Sequence, residues 1–384
     1  MITRQFFLRT LAAGATALVA AASGHAQPAD PIRVGVVLST SGPAASFGIP
    51  ERDALVLAAE HVNAGGGVDG RKIELYHYDD KTNPTEAARG VTQLVANHQV
   101  VVIVGPGTGG GALAAGPVAE RVQVPLLAPA ATIGVTDRKN SFFPWIFRIG
   151  VDDSKVVHGM LTDMAKSGLK RVGIFYQEDA YGKAGADYAK GVAKDLGVEI
   201  VEAVSVPYNA IDVSAQVTRL RNARPDAVML QVASTPLAAA YVKTAEQIGL
   251  KSATYAGAAM VQKTFVDSIG KAGEGIRVTS IGNLAHDPSP SEAKFAEVVK
   301  KAGRTPGGWM ELIGSDAIMA IAAAARKVKG PLTGPAMRDA IESLCDFEQY
   351  TRGRTCLSKD YHEVLNESSL VITEIRNGEF RTRK

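Results

Sequence analysis

The sequence is poor in the residues that usually announce chemistry. It has two cysteines, Cys345 and Cys356, in 384 residues. That excludes a zinc site built on four thiolates. Its seven histidines (His25, His61, His77, His98, His158, His286, His362) are scattered, with no H-E-x-x-H and no ligand spacing, so no metal site is expected. No G-x-S-x-G elbow occurs, which removes the commonest signature of an exported hydrolase. Charge of either sign is in little excess: the formal net charge is +3, which offers no basic field for nucleic acid or a membrane surface. Beyond residue 22 no apolar run is long enough to cross a bilayer. The longest candidate, Ala317–Ala325, is too short and leads into Arg326 and Lys327 as part of an amphipathic helix.

The N-terminus carries the one marked segment. Arg4 and Arg9 form a positive region, Leu11–Ala22 an apolar run, and Gly24 and Ala26 lie where a signal peptidase reads small residues. Residues 1–26 are therefore expected to be a secretory signal peptide, cut near Ala26. Gln5 stands where a twin-arginine signal has its second arginine, so ordinary export is expected. No lipobox cysteine is present, which predicts a mature protein that is neither lipid-anchored nor membrane-embedded. Cleavage leaves about 358 residues, enough for two domains with cores of their own, and removes two positive charges. Export also places Cys345 and Cys356 in an oxidising compartment. Their closeness in sequence predicts a disulfide closing a small loop.

What remains is an alternation of short apolar runs and amphipathic helices. IRVGVVL (Ile32–Leu38) reads as a buried strand, Arg52–Ala64 as a helix, KIELYHYD (Lys72–Asp79) as a strand, Pro84–Asn97 as a helix, then VVVIVG and PLLAPAA (Pro125–Ala131) as further strands. The rhythm restarts at Arg171 with RVGIFYQ, and a break falls near Gly150–Asp153. Apolar strands separated by helices predict an α/β fold with parallel sheets covered on both faces, and two such series predict two lobes. Helices are also expected at 292–302, 315–327 and 334–344, with a C-terminal hairpin turning at Asn377–Gly378.

The stretch Val101–Gly116, VVIVGPGTGGGALAAG, raises the functional question. Gly105, Gly107 and Gly110 satisfy G-x-G-x-x-G, but no Gly-Lys-Ser/Thr follows and the next strand ends in Pro129, Ala130, Ala131 and Thr132 without an acid for a ribose. A nucleotide is therefore not expected. A glycine loop at the carboxyl end of a parallel strand, opening a helix, suits a small anion such as a carboxylate. A tight turn without a ligand is the other reading. Two more loops share that sheet edge: APAATIG with Thr132, and STSGPAASFG (Ser39–Gly48) with Phe47 as an apolar wall.

These residues, in this order, resemble the periplasmic substrate-binding proteins of branched-chain amino acid ABC transporters. The opening IRVGVVLSTSGPAASFG, the segment HVNAGGGVDGRKIELYHYDDKTNP, the two loops of VVIVGPGTGGGALAAGPVAERVQVPLLAPAAT, and FRIGVDDS, EDAYGKAGAD, YNAIDVSAQVTRLRNARPDAV and GIRVTS carry the resemblance, from about Ile32 to Lys327. It implies two Rossmann-like lobes on a multi-strand hinge: residues 31–150 plus 281–358 in lobe I, 151–280 plus 359–384 in lobe II. It implies a ligand carboxylate on Thr108, Gly109, Gly110, Ala130 and Thr132, an aromatic wall at Phe47, and Asp153, Tyr181 and Tyr208 closing from the second lobe. It further implies permease subunits as partners, a small carboxylate or amino acid as ligand, no cofactor and no enzymatic activity.

One departure bears on the ligand. The amino-acid binders have an acid after the strand that here reads AVMLQVASTPLAAA, and Leu237 is the nearest match. A buried ammonium without a counter-charge is costly. Either Asp153 serves, or the ligand is an aromatic or other carboxylic acid without an amino group. A sensor reporting ligand to a membrane receptor would use the same scaffold. Glu178 and Asp179 read as residues that fix their loop, and Trp309 and Met310 either line the apolar end of the cleft or belong to the core.

Overall fold

A computed structural model describes residues 30–353 and 356–383. The proposed signal segment 1–26 lies outside them. The first series folds as β1 (Ile32–Leu38), α1 (Ala45–Ala64), β2 (Ile73–Asp79), α2 (Pro84–His98), β3 (Val102–Val104), α3 (Gly109–Val122), β4 (Leu126–Ala128) and β5 (Ile146–Arg148). These strands pair in the order β2-β1-β3-β4-β5, all parallel. The side chains of β1, β3, β4 and β5 are almost wholly buried, as strands covered on both faces require, whereas those of the edge strand β2 are mostly half-buried or exposed.

The chain then leaves this sheet through residues 149–152 and builds a second. It comprises α4 (Asp153–Lys166), β6 (Arg171–Gln177), α5 (Ala180–Val192), β7 (Glu199–Val206), α6 (Ser214–Ala223), β8 (Ala227–Gln231), α7 (Thr235–Gln247), β9 (Ala253–Ala256), α8 (Lys263–Ile269) and β10 (Arg277–Ser280). After β10 the chain returns to the first sheet with α9 (Pro290–Lys301), α10 (Trp309–Lys327) and α11 (Gly334–Glu342). Helix α10 lies so close on α1 that a Cβ at Gly314 would stand 2.5 Å from the Glu51 carbonyl oxygen, and Gly314 permits that approach. Of the last strands, β11 (Val371–Arg376) adds antiparallel to β10 and β12 (Glu379–Thr382) antiparallel to β11, which completes the order β12-β11-β10-β9-β8-β6-β7. Their turn has Asn377 and Gly378 at φ 53° and 75°, the left-handed pair a two-residue hairpin needs.

Three details differ from the sequence reading. Helix α1 begins at Ala45, because Gly48 and Pro50 read as loop residues yet lie within its first turns, so Phe47 sits on a helix. Helix α10 begins at Trp309 rather than near Ser315. Residues 361–364 still run beside β5: Glu363 bridges Arg148, and the His362 ring stacks between Phe143 and Phe147. The third crossing therefore follows them and does not fall between 358 and 359. Cys345 and Cys356 form a disulfide after α11. Among the described residues no helix is long and apolar enough to cross a membrane.

The core follows this interleaving. The β1 and α1 face of the first sheet is continuous with the apolar interior of the second lobe. The opposite face, where Val37, Ile103, Leu126 and Ile146 meet Val91, Leu94, Ala115 and Ala119, forms a separate cluster beneath α2 and α3.

Candidate functional site

The carboxyl ends of the parallel strands of both sheets face each other, and a cavity lies between them. This edge is where open α/β sheets hold ligands, because helix N-termini and variable loops converge there.

The first lobe supplies a donor-rich wall. Thr108 caps α3 in an extended conformation, and its Oγ1 accepts the Gly111 N–H at 3.2 Å. The cap leaves the Gly109 end of a 14-residue helix at the cavity, with the positive end of its dipole. Thr132 packs against this turn. A Cβ at Gly109 would stand 1.9 Å from Thr132 Oγ1, so only glycine lets the two loops meet. Gly107, Pro129, Ala131, Phe47, Trp309 and Met310 complete this side.

The second lobe supplies acids and rings. Asp153 opens α4, is 2% exposed, and accepts hydrogen bonds from the Tyr181 hydroxyl at 3.2 Å and from Gln231 Nε2. Burial pushes its carboxyl from 3.8 to about 7, against the pull of those two donors. Asp179 caps α5: its Oδ1 accepts the Gly182 N–H at 2.8 Å and its Oδ2 accepts Gln177 Nε2 at 2.5 Å. Burial raises its pKa as well. The Tyr181 and Tyr208 hydroxyls are raised by burial first and then by the neighbouring aspartates. Among the described residues lining the cavity there is no lysine, arginine or histidine.

Of the residues expected from sequence, the structure brings Phe47, Thr108, Gly109, Thr132, Asp153, Tyr181 and Tyr208 to one cavity. Gly110 and Ala130 do not line it. Gly110 faces Pro84 of α2, and Ala130 turns into the cluster beneath α2 and α3, leaving Ala131 on the cavity wall. Trp309 and Met310 line the cavity from the first turn of α10. Asp179, read as fixing its loop, both caps α5 and faces the cavity. Its signal was present, since an aspartate at an N-cap after a parallel strand lies at the ligand edge by topology. Leu237 lies on α7 and is buried in the core, and the polar residue that the preceding strand β8 contributes is Gln231, hydrogen-bonded to Asp153.

A family model described as "Periplasmic binding protein" matches residues 31–379. The chain belongs to the periplasmic binding protein family. Among curated relatives, Leu/Ile/Val-binding protein homolog 7 of Brucella abortus is 29% identical over 343 residues, covering 85% of this chain and 84% of that one. Two solved periplasmic binding proteins show what the scaffold can hold. A solute binding protein of an ABC transporter from Rhodopseudomonas palustris BisB5, in complex with 3,4-dihydroxy benzoic acid, is 26% identical, with a TM-score of 0.78 over 91% of this chain and 95% of that one. The branched-chain amino acid transporter substrate binding protein LivJ from Streptococcus pneumoniae, in complex with isoleucine, is 25% identical, with a TM-score of 0.79 over 92% of this chain and 100% of that one. The type I periplasmic binding fold read from the sequence is the fold the chain adopts. Its relatives are substrate-binding proteins, and this periplasmic binding protein is a binder and not an enzyme.

Proposed function

We propose that this chain captures a small neutral amino acid between its lobes and presents the closed form to the permease of an ABC importer. The observation that carries the reading is the charge layout of the cavity. A helix N-terminus on one wall favours a carboxylate, and two aspartates on the other, Asp153 buried and Asp179 half-buried, favour an ammonium, with no cationic side chain on either wall. A zwitterion spans that layout, and Asp153 with Asp179 takes the counter-charge role left open by Leu237. Phe47, Met310 and Trp309 leave an apolar end for an aliphatic side chain. Closure follows from linkage: a ligand touching both lobes favours the closed form by its differential affinity. Micromolar capture asks for about −8 kcal/mol in total. Delivery at the periplasmic face of a membrane, after loss of residues 1–26, belongs to the same proposal.

A second reading is favoured by the four rings of Phe47, Tyr181, Tyr208 and Trp309 around the cavity, which suit an aromatic acid such as the one bound to the Rhodopseudomonas palustris protein. Calorimetric titration with L-leucine, L-isoleucine and 3,4-dihydroxybenzoate distinguishes the two. Binding of the amino acids, weakened at least tenfold by Asp153→Asn, supports the zwitterion. Binding of the benzoate alone, unchanged or strengthened by Asp153→Asn, replaces it.

A further inference from the structure

Arg148, at the end of β5, is the largest fully buried side chain among the described residues, with no exposed surface. It does not reach the ligand cavity, yet every one of its nitrogens is engaged. Nε donates to Glu363 Oε2 at 2.9 Å. Nη1 donates to the carbonyls of Ala130 and Thr132, the latter at 3.1 Å. Nη2 donates to Thr136 Oγ1 and Asp152 Oδ2, both at 2.9 Å. The Thr136 hydroxyl in turn donates to Glu363 Oε1. The backbone closes the same knot: Arg148 N–H donates to the His362 carbonyl at 2.8 Å and Val364 N–H to the Arg148 carbonyl at 2.9 Å.

Three separate pieces of chain meet on this one guanidinium. The first is the loop from Pro129 to Thr136, which puts Ala131 and Thr132 on the cavity wall. The second is the first crossing, where Asp152 caps α4 immediately before Asp153. The third is the segment at Glu363 that leads into the last crossing. In a trans peptide the C=O and the following N–H point oppositely. Holding the carbonyls of Ala130 and Thr132 on Arg148 therefore turns the amides of Ala131 and Ile133 away from it. The Ala131 carbonyl is held separately by the Asp153 N–H at 2.8 Å. A charged fork with several fixed acceptors defines an orientation that a point charge cannot.

We infer that Arg148 is a positioning residue for ligand capture: its guanidinium holds the Thr132 loop in binding geometry and ties that loop to two of the three interlobe crossings. Loop and hinge then move as one body. The inference rests on the cleft being the capture site.

The test uses the mature chain. Arg148→Lys keeps the charge and loses the fork. Thr136→Val is similar in shape, removes a hydroxyl that both accepts from Nη2 and donates to Glu363, and lies off the cavity; it carries the test where the arginine variant does not fold. Two readouts apply. In ligand-free protein, hydrogen exchange at residues 131–136 is expected to rise at least about tenfold while exchange in β1 and β8 is unchanged, and Thr136→Ser restores it. With L-leucine as probe, Thr136→Val is expected to weaken binding about tenfold, and the effect vanishes when Thr132→Ala is already present, since coupled residues are non-additive. Uniform acceleration of exchange across the chain, or additive losses in the cycle, overturns the positioning role and leaves a purely structural one. If wild-type protein does not bind L-leucine, the amino-acid reading fails by itself and the exchange experiment still decides the role of Arg148.

Discussion

Acidification from pH 8 to pH 5 is expected to weaken amino-acid capture about 100-fold, or about 2.7 kcal/mol. The cause is Asp153. Its carboxyl is 2% exposed at the cavity wall, and burial raises its pKa to about 7 in the ligand-free protein. An ammonium docked there requires the ionised form, so below pH 7 a proton must leave before the ligand is held. Each pH unit below 7 then lowers affinity by about tenfold. A carboxylate without an ammonium brings only negative charge. It is accommodated by neutral Asp153, and its affinity falls about tenfold per unit above pH 7. The two ligand classes therefore give slopes of opposite sign. Calorimetry from pH 5 to 8.5 in two buffers of different protonation enthalpy counts the proton directly: leucine binding at pH 6 is expected to release about one proton, and Asp153→Asn to release none. The ligand-free protein behaves in the opposite sense. A carboxyl whose folded pKa is raised contributes stability that is present below its ordinary value of 3.8 and lost as pH rises through about 7. Glu51, buried near Asp80 behind the glycine loop and pushed to about 8, adds to the same trend. The melting temperature without ligand should fall between pH 5 and 8 while leucine affinity rises. A flat affinity profile with no proton released would refute the assignment of Asp153 to the ligand's charge.

Two further outcomes follow from packing. Gly109→Ala places a methyl 1.9 Å from Thr132 Oγ1, and overpacking of this kind costs about 1–3 kcal/mol; calorimetry should show ligand binding weakened by at least tenfold while circular dichroism shows the fold retained. Replacing both Cys345 and Cys356 by serine opens an 11-residue closure and should lower stability by about 2–4 kcal/mol in denaturant titration, with ligand affinity within twofold of wild type, because neither residue lines the cavity.

The parallel sheets were legible because their strands are continuous apolar runs, such as Val34–Leu38 and Val172–Phe175, bounded by glycine turns. The donor wall was legible because a glycine-rich turn between strand and helix can only lie at the ligand edge. Legibility ended where side-chain direction has no period. Ala130 and Ala131 are neighbours with the same side chain, and sequence could not say which faces the cavity. Gly48 and Pro50 concealed the first turns of α1, and Gly307 and Gly308 the start of α10. The Arg148 knot joins residues 215 positions apart, a distance over which local pattern carries no information. Asp179 reads from sequence as a residue that fixes its loop, whereas a cap at this edge also faces the cavity.

The interleaving of the two lobes has a consequence for how the molecule comes into being. Synthesis delivers the amino end first, yet α10, which covers α1, arrives only after the whole middle of the chain, and the second sheet waits for its edge hairpin until residues 371–382. The second sheet therefore presents an open edge at β10 until residues 371–382 have been made.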